Sequence, residues 1–365
     1  MKTTIDAEKL SALAKRVATT EKTVAFFGNI IADHIKIIDE YPKKDLCASV
    51  LSAETAVGGA VPNSGIDLKV MAPALTVKAF GVVGQDGDGT FLLDRLKKAG
   101  LDTAGVKSVP GALTSFSDVM TEKLGGHRTF FSYRGASDLA DESLLPKGRF
   151  CDRFHLGYLL LLGAMDREDE EYGTKAARLL RDLKKRGIKT SVDVVSENGD
   201  RYQKIVRPAL PFVDDLVINE IEGGKIAGID PYAGVTDASG SENGGTFYRN
   251  LEQIARKLAS FGVKEKVVLH APEAGAALDV ESGKWTVVPS LDLPAGYIQG
   301  TVGAGDAFLA GFLAARLSGE EEDELSLAFA SLAAAANLSK KDSVSGMASA
   351  TEIIKREIFG RKEKC

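Results

Sequence analysis

An aspartate that follows a run of small residues is the clearest chemical signal in this chain. In "GTVGAGDAF" (300–308), Gly303, Ala304 and Gly305 precede Asp306 and a long apolar run that predicts a helix. Glycine lets backbone approach a ligand closely, and the first turn of a helix presents unpaired N–H groups that suit anions. The stretch therefore indicates a phosphate cradle beside one carboxylate. A plain helix cap, with Thr301 or Asp306 satisfying the first amides, would explain the same residues.

A second glycine-rich stretch carries amide chemistry. In "AVGGAVPNSG" (56–65), Gly58 and Gly59 stand before Asn63 at the start of another predicted helix, downstream of Asp33. Asparagine and aspartate offer paired hydrogen-bonding atoms of fixed geometry, which suit the hydroxyl groups of a sugar. As isolated residues they are more often turn and cap formers.

A third polar pair follows a predicted strand. In "VINEIEGG" (217–224), Asn219 and Glu222 lie nearly one helical turn apart, where they could contact a hydrated magnesium ion or a phosphate. The same spacing is typical of a helix N-terminus. The chain lacks the P-loop pattern and the dinucleotide fingerprint, and the calcium-loop spacing from "DGDG" (86–89) ends on Lys97 instead of an acid, which predicts a turn.

Composition points to small-molecule chemistry in a reducing compartment. The 365 residues are 44% hydrophobic and 27% charged, with a net charge of −5, which argues against nucleic acid or an acidic membrane as partner. The start of the chain mixes acids and bases with its apolar residues, unlike a signal peptide, and no run has the length of a membrane span. Three distant cysteines predict neither disulfides nor a zinc site. We expect a cytoplasmic protein.

Strands alternate with helices along most of the chain. That rhythm predicts an α/β fold with a mostly parallel sheet and helices on both faces. Two regions break the rhythm, at about 34–60 and 112–134, and the second reads as a hairpin around Gly125–Gly126. A small antiparallel patch inserted in an α/β core is a candidate lid.

The motifs in this order resemble those of the ribokinase-like carbohydrate kinases, the phosphofructokinase-B family, from about residue 23. "GNIIAD" (28–33) is similar to the family's first strand with its sugar-binding aspartate, and "GGAVPN" (58–63) to its glycine-glycine sugar contact. "VVGQDGDG" (82–89) resembles its G-x-D-x-x-G turn and "NEIE" (219–222) its N-x-x-E motif. "GTVGAGD" (300–306) is similar to its strongest motif, D-T-x-G-A-G-D, whose last aspartate is the catalytic base.

The resemblance implies a three-layer α/β/α kinase domain at 23–365, carrying the lid segments, behind a helical extension at 1–22. It implies ATP-dependent phosphorylation of a hydroxyl, often a hydroxymethyl, of a monosaccharide or related molecule, with a homodimer formed through the lid. Asp306 would be the base and the 303–306 turn the anion hole. The other implied site residues are Asp33, Gly58, Gly59 and Asn63 for the sugar, and Asn219, Glu222, His270, Gly275, Thr301 and Asn337 for the nucleotide cofactor. Of these, Asn219 and Glu222 would also hold Mg²⁺ through water.

Departures from the family pattern put three properties in doubt. Gly300 replaces the aspartate that binds a monovalent cation in ribokinase-type members, and Asp342 could substitute for it. "HAP" (270–272) replaces a T-L-G turn in the nucleotide region, and Ala60 replaces the lysine of the ribokinase branch, which makes ribose itself a weaker candidate.

Two arginines near the lid leave the substrate class open. Arg128 and Arg134 could bind a substrate phosphate or carboxylate, or could simply be solvated. Two alternatives therefore remain beside the sugar kinase: a nucleoside or sugar-phosphate kinase of the same fold, and a sugar- or nucleotide-binding regulator without turnover.

Overall fold

The alternation of strands and helices gives three sheets among the described residues, of nine, four and two strands. A computed structural model of the chain describes residues 5–124, 128–235 and 244–362. The strands are β1 Thr23–Phe27, β2 Ile31–Ile38, β3 Val50–Gly58, β4 Thr76–Gly84, β5 Asp102–Val109, β6 Ser115–Glu122, β7 Arg128–Tyr133, β8 Arg153–Leu159, β9 Glu168–Asp169, β10 Gly173–Thr174, β11 Lys189–Val194, β12 Asp215–Asn219, β13 Lys266–His270, β14 Ala274–Asp279 and β15 Trp285–Pro289.

Helices connect most of these strands. The α-helices are α1 Ala7–Thr19, α2 Ala60–Met71, α3 Gly87–Lys98, α4 Lys175–Lys185, α5 Tyr202–Ile205, α6 Glu220–Ala227, α7 Gly244–Ser260, α8 Ala304–Leu317, α9 Asp323–Leu338 and α10 Ala350–Ile353. Short 3₁₀ helices span Gly135–Leu139, Glu142–Leu144, Arg207–Phe212 and Ile354–Phe359.

The large sheet has nine strands in the order β15-β14-β13-β12-β11-β8-β1-β4-β5. Its pairs are parallel from β5 to β13, whereas β13–β14 and β14–β15 are antiparallel. Successive side chains of a strand point to opposite faces of the sheet. Phe26 of β1 therefore belongs to the hydrophobic cluster on one face and Phe27 to the cluster on the other. The α/β fold class predicted from the sequence is confirmed.

The small sheet contains β3, β2, β6 and β7 in that order. Its outer pairs, β2–β3 and β6–β7, are antiparallel, while the central pair β2–β6 runs parallel. These strands fall in and around the two segments that broke the rhythm of the sequence. The turn predicted at Gly125–Gly126 lies outside the described residues.

Local sequence explains where the elements near the site begin and end. Asp86 caps α3 by accepting a hydrogen bond from the Gly89 amide at 2.8 Å, so the "DGDG" stretch is a turn into a helix. Strand β4, which precedes α3, ends at Gly84. Helix α1, Ala7–Thr19, comes before the first strand in the chain. Within the described ranges, no helix is long and apolar enough to cross a membrane.

Candidate active site

The polar residues singled out in the sequence converge where parallel strands end and two helices begin. The carboxyl ends of β8, β11, β12 and β13 face a cavity of about 200 Å³ together with the start of α8. Ligands of open α/β sheets bind at this edge because the loops and helix N-termini gather there. The lining includes Tyr158, Asp193, Glu222, His270 and Asp306.

Asp306 lies in the first turn of α8 and is 7% exposed. Its Oδ2 accepts a hydrogen bond from Asn63 Nδ2 at 3.0 Å, and its Oδ1 lies 3.3 Å from the hydroxyl of Ser64. The hydroxyl of Tyr158 lies 2.9 Å from Oδ1 and 2.8 Å from Oδ2. Burial, and then the charge of Asp193, raise the pKa of Asp306 to about 7 against the lowering effect of these hydrogen bonds.

The glycines before Asp306 leave the N-terminus of α8 without a capping side chain in the described part of the chain. Gly303 is the N-cap with φ of +79°, and among the described residues no side chain caps this helix. A Cβ on Gly303 would lie 2.7 Å from Cβ of Ser343, and one on Gly305 would lie 3.0 Å from Cε1 of His270. The first amides of a helix have no intrahelical partner, so those of Ala304, Gly305 and Asp306 can take an anion.

A larger cavity of about 550 Å³ lies against the small sheet and is lined by Asp33 and Ser343 among others. The Asp33 carboxylate occupies the space beside Gly58, where a Cβ would collide with it. Burial raises the pKa of Asp33 to about 7, against the charge of His34. Asp33 can therefore accept or donate a hydrogen bond near neutral pH.

Asn63 links Ser343 of this cavity to Asp306. Its Oδ1 accepts a hydrogen bond from Ser343 Oγ at 2.7 Å, while its Nδ2 donates to Asp306. Gly59 precedes the helix with φ of +88°, and a Cβ there would lie 2.6 Å from the carbonyl oxygen of Asn29. The glycine pair thus allows α2 to start close to β1, which brings Asn63 to Asp306.

Asn219 and Glu222 form a capping box at the start of α6. Asn219 Oδ1 accepts from the Glu222 amide at 2.8 Å, and Glu222 Oε2 accepts from the Asn219 amide at 3.0 Å. Ser196 donates to Glu222 Oε1 at 2.7 Å, and burial raises the pKa of Glu222 to about 8. Across the described residues, no group of three acidic, histidine or cysteine side chains is arranged to hold a metal ion directly.

A third, more apolar cavity of about 410 Å³ also borders the N-terminus of α8, at Ala304 and Gly305. His270, Gly275 and Thr301 line it, as does Phe308. The ring of His270 lies 5.0 Å from that of Phe308, and burial lowers the pKa of His270 to about 4, so the imidazole is neutral. A Cβ on Gly275 would lie 2.9 Å from the Phe308 ring, so glycine permits this packing.

Asn337, which the resemblance implies for the nucleotide, does not line this cavity; neither do Asn219 and Glu222. Asn337 is fully buried, and its Nδ2 donates to the carbonyl oxygen of Ser343 at 2.6 Å. The amide therefore holds the 340–345 loop, which also supplies the hydroxyl that bonds Asn63.

Sequence reasoning missed several side chains that contact Asp306 or lie near it. Tyr158 and Ser64 bond Asp306, and Asp193 accepts from the Tyr158 amide at 2.7 Å. Asp67 is fully buried in α2 with no hydrogen-bond partner for either oxygen, near enough to Asp306 for that charge to raise its pKa. An acid inside an apolar helix repeat is the signal that could have identified Asp67, whereas Tyr158 is indistinguishable from a strand residue.

Comparisons with known proteins agree with this geometry. The family model described as pfkB family carbohydrate kinase matches residues 21–350. The chain belongs to this family. A ribokinase of Arabidopsis thaliana is 24% identical over 331 residues, 90% of this chain and 79% of that protein, and an adenosine kinase of Schizophyllum commune is 24% identical over 304 residues, 80% of each.

Solved structures share the fold of this pfkB family member. A structure of Arabidopsis thaliana ribokinase complexed with ribose and ATP superposes with a TM-score of 0.70 at 21% identity, covering 92% of this chain and 98% of that one. A nucleoside kinase of Methanocaldococcus jannaschii, an archaeal member of the ribokinase family, gives a TM-score of 0.69 at 16% identity with the same coverage.

The structure also locates the departures from the family pattern. A Cβ on Gly300 would lie 2.8 Å from the carbonyl oxygens of both Lys340 and Lys341. The Asp342 carboxylate accepts hydrogen bonds from amides of its own loop, at 3.0 Å from Val344 and 2.8 Å from Ser345. Asp342 is therefore engaged in shaping this loop.

The two arginines near the small sheet differ in their surroundings. Arg134 donates through Nε to Asp138 at 3.1 Å, whereas Arg128 lines the 550 Å³ cavity. Of the two, Arg128 is placed to contact a molecule in that cavity.

Proposed function

We propose that this pfkB family kinase transfers the γ-phosphate of ATP to a hydroxyl, often a hydroxymethyl, of a monosaccharide or a close relative. The observation that carries the proposal is the position of Asp306: a buried carboxylate that lines the 200 Å³ cavity, in the first turn of a helix whose start, at Ala304 and Gly305, also lines the 410 Å³ cavity. Phosphoryl transfer needs a group that accepts the proton of the attacking hydroxyl and donors that hold the charge of the phosphate.

The site divides these tasks among a few groups. Asp306 accepts the proton, and the amides of Ala304, Gly305 and Asp306 hold the transferred phosphate at the positive end of α8. Because the pKa of Asp306 is raised to about 7, the ionised base becomes more abundant as the pH rises through neutrality, and kcat/KM should rise with it.

Substrates would occupy the two larger cavities. Asp33 lines the 550 Å³ cavity and would contact the acceptor there, with the Gly58–Gly59 turn beside it. The reacting hydroxyl would extend to Asp306, which lines the 200 Å³ cavity and accepts a hydrogen bond from Asn63. His270, Gly275 and Thr301 contact the nucleotide in the 410 Å³ cavity. The described residues that line the acceptor cavity include no aromatic side chain, which favours a sugar over the stacked base of a nucleoside.

Magnesium would suit the polar 200 Å³ cavity, which shares His270 and Gly305 with the nucleotide cavity. Asp193, Glu222 and Asp306 carboxylates line the polar cavity, and oxygen donors of this kind suit Mg²⁺, which commonly keeps several of its waters. Glu222 is already hydrogen-bonded within its capping box, so it and Asn219 would hold the ion through water. When bound, Mg²⁺ neutralises charge on the nucleotide phosphates.

We also propose a homodimer formed through the small sheet. Several of its large apolar side chains are exposed, including Val50, Leu51, Phe130 and Phe131. Exposed apolar side chains grouped on a small sheet are typical of an interaction surface. Sedimentation at several concentrations tests this proposal, and a monomer at all of them would overturn it.

The test of function is a panel of acceptors assayed for ATP consumption: ketoses, aldoses, sugar acids, sugar phosphates and nucleosides. We expect ADP formation to require both Mg²⁺ and one sugar class. Turnover with nucleosides alone would support a nucleoside kinase instead. ATP binding without any turnover across the panel would support a regulator.

A further inference from the structure

The hydroxyl of Tyr158 contacts the carboxylate of Asp306, and none of the family motifs in the sequence contains Tyr158. It lies within 2.9 Å of both carboxylate oxygens of Asp306. A phenol has a single O–H, so it shares one proton between the two oxygens. Tyr158 therefore contacts the atoms that are proposed to receive the proton of the substrate.

A count of lone pairs shows what this contact implies. A carboxylate offers about four acceptor directions. On Asp306, Oδ1 faces Tyr158 and Ser64, while Oδ2 faces Tyr158 and Asn63. Three donors therefore face the carboxylate, and the single proton of Tyr158 is the one that both oxygens share, so a hydroxyl that approaches either oxygen competes with Tyr158.

Tyr158 is the donor that an incoming hydroxyl would meet. It lines the 200 Å³ cavity beside Asp306, whereas Asn63 and Ser64 are not part of that lining and are fixed in the first turns of α2. Asn63 is further held by Ser343 at 2.7 Å. The exchange of donors therefore takes place at Tyr158.

The backbone holds Tyr158 firmly in this position. Its φ is +62°, a left-handed conformation that is uncommon for a residue with a side chain, and its amide donates to Asp193 Oδ1 at 2.7 Å. Two residues on, Leu160 has φ of +80° and donates to Asp166 Oδ1 at 3.2 Å. Strained backbone that is held by several hydrogen bonds is typical of functional sites.

The charges around the phenol keep it a hydrogen-bond donor. Burial, followed by the carboxylates of Asp306 and Asp193, raises the pKa of Tyr158 well above its usual value. The hydroxyl therefore remains protonated over the working pH range of an enzyme.

We propose that Tyr158 is a positioning residue for the transfer reaction: it fixes the Asp306 carboxylate and yields one carboxylate oxygen to the acceptor hydroxyl when substrate enters. This inference rests on the proposed function. In the transfer step the acceptor O–H bond breaks and its proton passes to Asp306. The acceptor oxygen bonds to the γ-phosphorus, and the bond from that phosphorus to ADP breaks with its electron pair leaving on ADP.

The Tyr158→Phe variant removes the hydroxyl and keeps the ring. The Tyr158 hydrogen bond lowers the pKa of Asp306, so its loss should move the acid limb of the kcat/KM profile to higher pH by about one unit. We expect kcat to fall by about tenfold or more while KM for ATP is retained. Tyr232→Phe is the matched control, because it also removes a hydroxyl that contacts a carboxylate, Glu220 at 3.0 Å.

A measurement without turnover separates this inference from the proposed function. Carbon-13 NMR of the aspartate carboxyls, with Asp306 assigned through Asp306→Asn, should show a higher pKa for Asp306 in Tyr158→Phe than in the wild type. An unchanged Asp306 titration together with an unchanged pH profile would overturn the role of Tyr158. Absence of turnover with every acceptor would overturn the proposed function, whatever the titration shows.

A second measurement keeps the tyrosine in place, in case Tyr158→Phe does not fold. Wild-type and Asp306→Asn proteins are both labelled with fluorotyrosine. One fluorine resonance should differ between the two proteins, and in the wild type the same resonance should shift when the acceptor saturates the enzyme. If the resonances that respond to Asp306→Asn ignore the acceptor, the exchange of donors does not occur.

Discussion

The starts of α2 and α8 look alike in sequence and act differently in the structure. Each helix begins after a glycine with positive φ, Gly59 at +88° and Gly303 at +79°, and neither has a side-chain cap among the described residues. At α2 the space is filled by protein, since the Val61 amide donates to the Asn29 carbonyl oxygen at 3.2 Å. At α8, Gly305 lines two cavities.

The comparison shows that a glycine-rich helix start has two distinct uses. At α2 it permits close packing that brings Asn63 and Ser64 into contact with Asp306. At α8 it leaves amides and helix dipole free for an anion. The predictions below test whether the two starts serve acceptor binding and phosphate transfer separately.

The largest effect is expected at α8. Asp306→Asn keeps the shape of the side chain but removes the base, so kcat should fall by about 10² to 10⁴. The melting temperature and ATP affinity should stay close to wild type. Turnover within a few-fold of wild type would remove Asp306 from the mechanism.

A smaller and different effect is expected beside α2. Asp33→Ala should weaken acceptor affinity by about tenfold or more, because a buried polar partner is lost, and should leave ATP affinity unchanged. Calorimetry with each ligand measures both. His34→Ala is a suitable control, since His34 lies next in the strand and contacts Asp88 at 3.0 Å. Unaltered acceptor binding in Asp33→Ala would place the acceptor elsewhere.

Asp67 tests the packing of the two helices. Burial raises its pKa well above the usual value, so in the folded state the carboxyl stays protonated at pH values where the unfolded chain has lost the proton. Stability is therefore lost as the pH rises above the unfolded pKa, and Asp67→Asn avoids this loss. We expect the variant to melt about 1–3 °C higher at pH 8, with the gap closing near pH 4.

The control for Asp67 is an exposed carboxylate. Asp200 lies on the surface, so Asp200→Asn should change the melting temperature little at either pH. If Asp67→Asn melts lower than wild type at pH 8, Asp67 has a stabilising partner that this account lacks.

The smallest effect concerns monovalent cations. Gly300 supplies no carboxylate beside the anion hole, and Asp342 bonds the amides of its own loop. We expect activity to change by less than about threefold between potassium, sodium and a bulky organic cation at equal ionic strength, a difference under ~0.7 kcal/mol. Tenfold activation by potassium that is lost in Asp342→Ala would show that the loop binds a cation.

The fold class and the family could be predicted from the sequence because both are visible in local patterns. Hydrophobic periodicity and glycine positions indicated the strands and helices that the structure has. The resemblance then pointed to Asp33, Asn63 and Asp306, and the structure brings Asn63 onto Asp306. That contact joins α2 to α8, so no local pattern contains it.

Other features of the site depend on three-dimensional packing alone. Tyr158, at the end of β8, contacts Asp306 from a left-handed backbone conformation, and Leu160 just after the strand is also left-handed, which a run of leucines does not signal. Asn337 was implied as a nucleotide residue, whereas its amide bonds the Ser343 carbonyl oxygen in the structure. Which atom a buried amide bonds is decided by neighbours distant in sequence.

The most direct test of the account is phosphorus NMR of wild-type protein with ATP, Mg²⁺ and the acceptor that the panel identifies. We predict a new phosphomonoester resonance that grows in step with ADP and is nearly absent with Asp306→Asn over the same period. Formation of inorganic phosphate without a phosphorylated acceptor, or equal product from Asp306→Asn, would contradict the claim that this helix start transfers phosphate to a hydroxyl.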